Sequence, residues 1–158
     1  MAAWRPMTAA DLDEVVRIAD AVHVDLPESR AVLAERLALF PAGCLITDGG
    51  YVIAHPARFA AVPALDTLLG GRPAAADVLH LHDVALLPER QGRGLGSAAV
   101  ARIAVVAARY GLRRMTLVAV HGTPGYWGRR GFGETGLTPP GLESYGPGAR
   151  YLVRCVVT

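Results

Sequence analysis

The segment Gln91-Gly92-Arg93-Gly94-Leu95-Gly96-Ser97 holds the densest chemical information in the chain. Glycines at alternate positions ahead of a helix leave several backbone N–H groups free to converge on one anion, because no Cβ blocks the approach and the helix N-terminus adds partial positive charge. Such a turn suits phosphate, and the flanking Arg90 and Arg93 favour it further. Just upstream, His80, His82 and Asp83 sit in an apolar run. An imidazole there can take a proton near neutral pH, whereas a carboxylate needs burial or a water relay to do so. Strand alternation puts His80 and His82 on one face and Asp83 on the other. Two clustered histidines are too few for a tetrahedral zinc site, so no metal is expected.

The elements that must position these groups can be read from periodicity. Val78 to Leu87 is extended and apolar and runs into the charged turn Pro88-Glu89-Arg90. After the glycines, Leu95 to Tyr110 has the composition of a helix, with Leu95, Ala99, Ile103, Val106 and Tyr110 at helical spacing. A second apolar run, Met115 to Val120, follows. Strand, glycine turn, helix and strand make a parallel βαβ unit with a right-handed crossover. A dinucleotide-binding oxidoreductase is one alternative, since Gly94-Leu95-Gly96-Ser97-Ala98-Ala99 fits that glycine fingerprint. It requires the strand to enter the first glycine directly and an acid about 20 residues later. Here a charged turn intervenes, and the second strand ends in His121 and Gly122.

Elsewhere, Trp4 to Met7 reads as a short strand and Thr8-Ala9-Ala10-Asp11 as a capping box opening a helix with Leu12, Val15, Val16, Ala19 and Val22 on its apolar face. Pro27-Glu28 is expected to start a second helix carrying Leu33, Leu37 and Phe40, which Pro41-Ala42-Gly43 ends. Cys44 to Thr47 and Tyr51 to His55 flank Asp48-Gly49-Gly50 as a hairpin. The Pro/Gly/Ala-rich stretch Ala60 to Asp77 is either a cover for a site beside the central sheet or an inert surface insertion. A short helix is expected to hold Tyr126 and Trp127, with last strands over Phe132 to Gly136 and Tyr151 to Val157.

With 158 residues, the chain is expected to form one domain, 1–158, that buries close to ~70% of its unfolded surface. No apolar run is long enough to cross a bilayer and the first residues lack the pattern of a signal peptide, so the expected location is cytoplasmic. Cys44 and Cys155 are expected to be buried thiols. The net charge is +2, and every basic residue apart from histidine is arginine. Without lysine, Schiff-base chemistry from that side chain is excluded. The arginines are interleaved with acids and aromatics make up only 6%, which argues against a nucleic-acid surface.

Gln91-Gly92-Arg93-Gly94-Leu95-Gly96 resembles the pyrophosphate loop of the GNAT superfamily of N-acetyltransferases, written Arg/Gln-x-x-Gly-x-Gly/Ala between a strand and a helix. Tyr126-Trp127-Gly128-Arg129-Arg130-Gly131-Phe132 resembles its second landmark, an aromatic pair followed by Gly-Phe. Two helices, a hairpin and then the βαβ unit is also that family's order. The resemblance implies an α/β (α+β) fold, with a mixed, mostly antiparallel sheet built on a central parallel βαβ unit and flanked by helices. It implies acetyl-CoA as co-substrate and transfer of the acetyl group to a primary amine by direct attack in a ternary complex. Carried over, the phosphate contacts fall on Gln91, Gly92, Arg93, Gly94, Gly96 and Ser97. The pantetheine arm would pair with backbone of Leu86 and Leu87, and His121 stands near an asparagine that relatives use on the same arm. His82 or Asp83 would act as base, with His80 a further candidate. Relatives often protonate the leaving thiolate from the second aromatic; here that is Trp127, which has no ionisable proton, so Tyr126 or Tyr145 would substitute, or the thiolate would leave unassisted. A non-catalytic acyl-CoA-binding module is the other reading. The acceptor stays open among small-molecule and peptide amines, as does assembly into a homodimer; no nucleic acid or membrane partner is expected.

Overall fold

The computed structural model describes residues 3–120 and 123–156. Among these, seven strands form one sheet in the order β1-β2-β3-β4-β5-β7-β6. Strand β1 is Arg5–Pro6, β2 Cys44–Thr47, β3 Gly50–Ala57, β4 Val78–Leu86, β5 Arg114–Ala119, β6 Gly133–Glu134 and β7 Arg150–Cys155. Every neighbouring pair is antiparallel except β4 and β5 at the centre, which is the mixed sheet expected. Helices α1 (Leu12–Val22) and α2 (Arg30–Leu39) cover one face, and α3 (Leu95–Arg109) with the short α4 (Pro124–Gly128) lies on the other side of the crossover.

Local chemistry accounts for the boundaries. The Asp11 carboxylate accepts the Thr8 N–H at 2.8 Å, closing the turn that leads into α1. Helix α2 does not begin at Pro27-Glu28. Ser29 caps it, its hydroxyl accepting the Val32 N–H, and this leaves Glu28 outside the helix and free to turn inward. The hairpin between β2 and β3 turns on Gly49, at φ +73°. Arg90 donates from Nε to the Asp48 carbonyl at 2.8 Å, so its guanidinium ties the hairpin down and is not free beside the glycine turn.

Two cores sandwich the sheet. Leu45, Val52, Leu79, Leu81 and Leu117 face Ala99, Val100, Ile103 and Ala107 of α3. Cys44, Ile46, Tyr51, Ile53 and Ala85 face Leu12, Val15, Ile18 and Leu33 of α1 and α2. Tyr110, expected on the buried stripe of α3, is 54% exposed at the C-cap of that helix, and Cys155, expected buried, is exposed at the end of β7. No helix among the described residues is long and apolar enough to cross a membrane.

Strand β4 carries a bulge that spacing alone could not reveal. Ile53 pairs with Asp83 but Ala54 pairs with Leu81, so His82 is an extra residue. The slip reverses which positions face which core: Leu79 and Leu81 point toward α3, whereas Ala85 points toward α1 and α2. Asp83 therefore does not lie opposite His82, as regular alternation predicts, but on the same face.

His55 and His80 pair across β3 and β4 with ring centroids 5.5 Å apart, both buried. Burial first, then the neighbouring His82 and Arg36, pushes His55 down to about 3; burial, then His55, His82 and Arg36, pushes His80 well below its ordinary value. The unfolded chain takes up these protons below about pH 6.5 and the native chain does not, so stability falls with falling pH by about 1.4 kcal/mol per unit for each ring. Chemical denaturation at pH 7 and pH 5, above the carboxylate range, is expected to show that loss; equal stabilities would contradict it.

Candidate active site

Strands β4 and β5 pair only at Leu79 with Met115 and His80 with Thr116, then splay. Past that point, among the described residues, no strand pairs with the inner edge of β4. Leu87 donates its N–H to the Gly49 carbonyl at 2.9 Å, toward the hairpin, so it is not available in the splay. Alternation turns the backbone of Leu86 and Val84 the other way, and the Leu86 carbonyl accepts from the Gln91 side-chain amide at 3.1 Å. Of the two backbone positions expected to hold a pantetheine arm, Leu86 borders the cavity and Leu87 does not.

The cavity in the splay has a volume of about 680 Å³. At one end stands the start of α3. Gly92 and Gly94 have φ of +73° and +77°, and a Cβ at either would meet nothing within 4 Å. Gly94 is the N-cap, with no side-chain cap, so the first amides of α3 are left without an intrahelical acceptor. Gln91, Gly92, Gly94 and Gly96 line the cavity, while Arg93 and Ser97 are exposed and do not border it. His121 lies outside the described residues.

Tyr126 closes over this end. A Cβ on Gly96 would fall 2.1 Å from the Tyr126 hydroxyl, so the glycine is what lets the phenol rest on the first turn of α3. The Arg130 guanidinium lies 3.5 Å above the Tyr126 ring and donates to the Tyr126 carbonyl at 2.8 Å, fixing its orientation. Trp127 packs edge-on against Tyr126 and Phe132 and into the α3 core. Tyr145 lines the opposite end, its hydroxyl donating to the Pro63 carbonyl at 3.0 Å, and burial pushes its phenol up.

The bulge places two acid–imidazole pairs side by side at that far end. His82 Nε2 donates to Glu28 Oε1 at 2.7 Å, which makes Nε2 the protonated nitrogen. Its Nδ1 is buried and has no partner among the described residues, and the ring lies beside those of His55 and His80. Asp83 accepts from His23 Nε2 at 2.6 Å and from the Tyr51 hydroxyl. Burial works against the Asp83 carboxylate, yet the charge and hydrogen bond of His23, with His82 and Tyr51, hold it below its ordinary value. Burial also opposes charge on His23, and Asp83 outweighs it and raises the imidazole. Burial, then Asp83, pushes the Tyr51 phenol well up, so it stays a hydrogen-bond donor.

Sequence reasoning missed His23, Glu28 and Tyr51, because each comes from an element far along the chain from β4. It also left the role of the 60–77 stretch open. That stretch covers the site: Glu28 Oε2 accepts the Asp66 N–H at 3.1 Å, Glu35 accepts those of Leu69 and Gly70, and Leu65 lines the cavity. His80 is buried against Thr116, away from the cavity, and so drops out as a candidate base. Among the described residues no group of three or more ligand-type side chains is arranged to hold a metal.

Comparison with known proteins agrees with this geometry. The chain resembles the loading GNATL domain of CurA from Lyngbya majuscula at a TM-score of 0.82, with 13% identity over 99% of this chain and 98% of that one. It resembles the GphF GNAT-like decarboxylase in complex with isobutyryl-CoA at 0.79, with 16% identity over 98% and 100%. For Ard1 from Thermoplasma volcanium the values are 0.76 and 14%, over 99% of each chain. Likeness at such identities establishes the fold alone, and no curated protein matches the sequence. The sequence model of the Acetyltransferase (GNAT) family, however, matches residues 23–132, well over half the chain. With the glycine turn, the splayed strands and the bulged β4 in place, the chain belongs to the GNAT acetyltransferase family.

Proposed function

We propose that residues 1–158 act as a single N-acetyltransferase domain that moves the acetyl group of acetyl-CoA to a primary amine by direct attack. The observation that carries this reading is one continuous cavity, running from the uncapped start of α3, along the free edge of β4, to His82 and Glu28. The first amides of α3, with Gly92, Gly94 and Gln91, would hold the diphosphate, helped by the exposed Arg93 and Ser97. Backbone N–H groups of Val84 and Leu86 would pair with the pantetheine arm and polarise the acetyl carbonyl. His82 would take the proton of the amine, held in the right tautomer by Glu28, while Asp83 acts through His23 and Tyr51 to fix the second pair. Tyr126 would protonate the leaving sulfur. Direct attack is favoured because neither cysteine borders the cavity: Cys44 is buried behind the sheet, where burial pushes its thiol up to about 12, and Cys155 ends β7. The complex of GphF with isobutyryl-CoA supports an acyl-CoA on this fold.

The test joins calorimetric titration with acetyl-CoA to a thiol-release assay over a broad amine panel. Binding together with amine-dependent release is expected. Binding with release at background for every amine would leave an acyl-CoA-binding module and remove the enzyme.

A further inference from the structure

Two imidazoles stand at the far end of the cavity, and they are not equally open to it. The His82 side chain is wholly buried and its free Nδ1 is sealed in, whereas the His23 side chain is 27% exposed and lines the chamber. His23 is the C-cap of α1. Its Nε2 lies 2.6 Å from Asp83 Oδ1, and a carboxylate can only accept, so Nε2 carries the proton. The lone pair of a neutral His23 is then on Nδ1, which has no hydrogen-bond partner among the described residues and is not closed off by packing. Asp83 is itself held from behind, since the Tyr51 hydroxyl donates to its second oxygen from β3. Tyrosine, carboxylate and imidazole form a line that ends in an open nitrogen, each link orienting the next.

Resting on the acetyltransferase reading above, we infer that His23 is the catalytic group that meets the incoming acceptor and takes one proton from its ammonium at Nδ1, with Asp83 and Tyr51 as positioning residues. Near neutral pH an alkylamine arrives mainly as the ammonium ion, which has no lone pair to attack with. The ammonium N–H bond breaks, its proton goes to His23 Nδ1 and the electron pair stays on the nitrogen. That pair forms the C–N bond to the thioester carbon as the C–S bond breaks, and a second proton passes from the nitrogen to the departing sulfur. The products are the amide, the free thiol and one proton, which the partly exposed His23 returns to solvent.

The titratable and charged groups gathered at this end are Asp83 and His82 on β4, Tyr51 on β3, Glu28 ahead of α2, Arg36 within it and Tyr145 opposite. Burial opposes charge on His23, and Asp83 and then Glu28 outweigh it and raise the imidazole above its ordinary value. A base so raised is lost as pH falls through a range above that of a free imidazole, and the acid limb of kcat/KM is expected there.

The test is thiol release by the intact chain at saturating acetyl-CoA, from about pH 6 to about pH 9, over phenethylamine, putrescine, leucinamide and trialanine. The fastest of these is carried into two variants. His23→Gln keeps an amide donor for Asp83 and is expected to lower kcat/KM by about 10²-fold near neutral pH, the lower end of what a positioned base contributes. The deficit is expected to shrink toward alkaline pH, because solution then supplies more of the free amine. Asp83→Asn removes a charge that raises His23 and is expected to move the acid limb to lower pH. No deficit in His23→Gln, or the same deficit at every pH, would overturn the inference and leave acetyl transfer standing, as would an acid limb that Asp83→Asn leaves in place. Release at background for all four amines, with acetyl-CoA still binding by calorimetry, would remove acetyl transfer and the inference with it.

Discussion

Exchange of His82 for glutamine is expected to lower kcat by about 10²–10⁴-fold, the range over which a positioned base contributes. Glutamine nearly matches the size of the ring, and its amide can still donate to Glu28, so the bulge and the covering stretch keep their contact. What is lost is a nitrogen able to take a proton. Steady-state thiol release beside calorimetric titration separates the two effects: affinity for acetyl-CoA should stay as in the parent while kcat falls. A variant as fast as the parent would remove His82 from the chemistry and make His23, held by Asp83 across the same chamber, the next base to examine.

The second large effect belongs to Gly94. At φ +77° a side chain is strained by about 1–2 kcal/mol, more for a β-branched one, yet its Cβ would meet no protein atom within 4 Å. The empty space is where a diphosphate would approach the first amides of α3. Gly94→Val is therefore expected to fold with a modest loss of stability and to lose affinity for acetyl-CoA by about 10–100-fold, the equivalent of one or two charge-assisted hydrogen bonds. Thermal denaturation with and without acetyl-CoA reads both quantities. A variant stabilised by the ligand as strongly as the parent would place the diphosphate elsewhere.

The glycine turn and the βαβ unit were legible because both are local: alternate glycines, an Ala-rich helical stripe and two apolar runs lie within one stretch of chain. The acid–imidazole pairs were half legible. His82 and Asp83 stood out by type, but the alternation that separated them fails at the bulge, and nothing in Leu81-His82-Asp83-Val84 marks an extra residue. Their partners were hidden by distance along the chain, since His23 and Tyr51 meet Asp83 only once α1 and β3 have docked. Glu28 was misplaced for a local reason: Ser29 is the better cap, so the helix starts later than Pro27-Glu28 suggested and the carboxylate turns inward. Tyr126 was singled out through resemblance, and its neighbour Trp127 proves to be packing for the α3 core.

The extra residue in β4 separates what folding asks of that strand from what catalysis asks of it. Shortened by one position near His82, the strand would regain an unbroken pleat, and Leu81, Val84 and Ala85 would all keep the sides they occupy now. Both helical layers could stay seated on such a sheet. Only one polar side chain, however, could then occupy the ground that His82 and Asp83 share. On the role proposed for His82, the extra residue serves the site and not the sheet, whose architecture would tolerate one fewer.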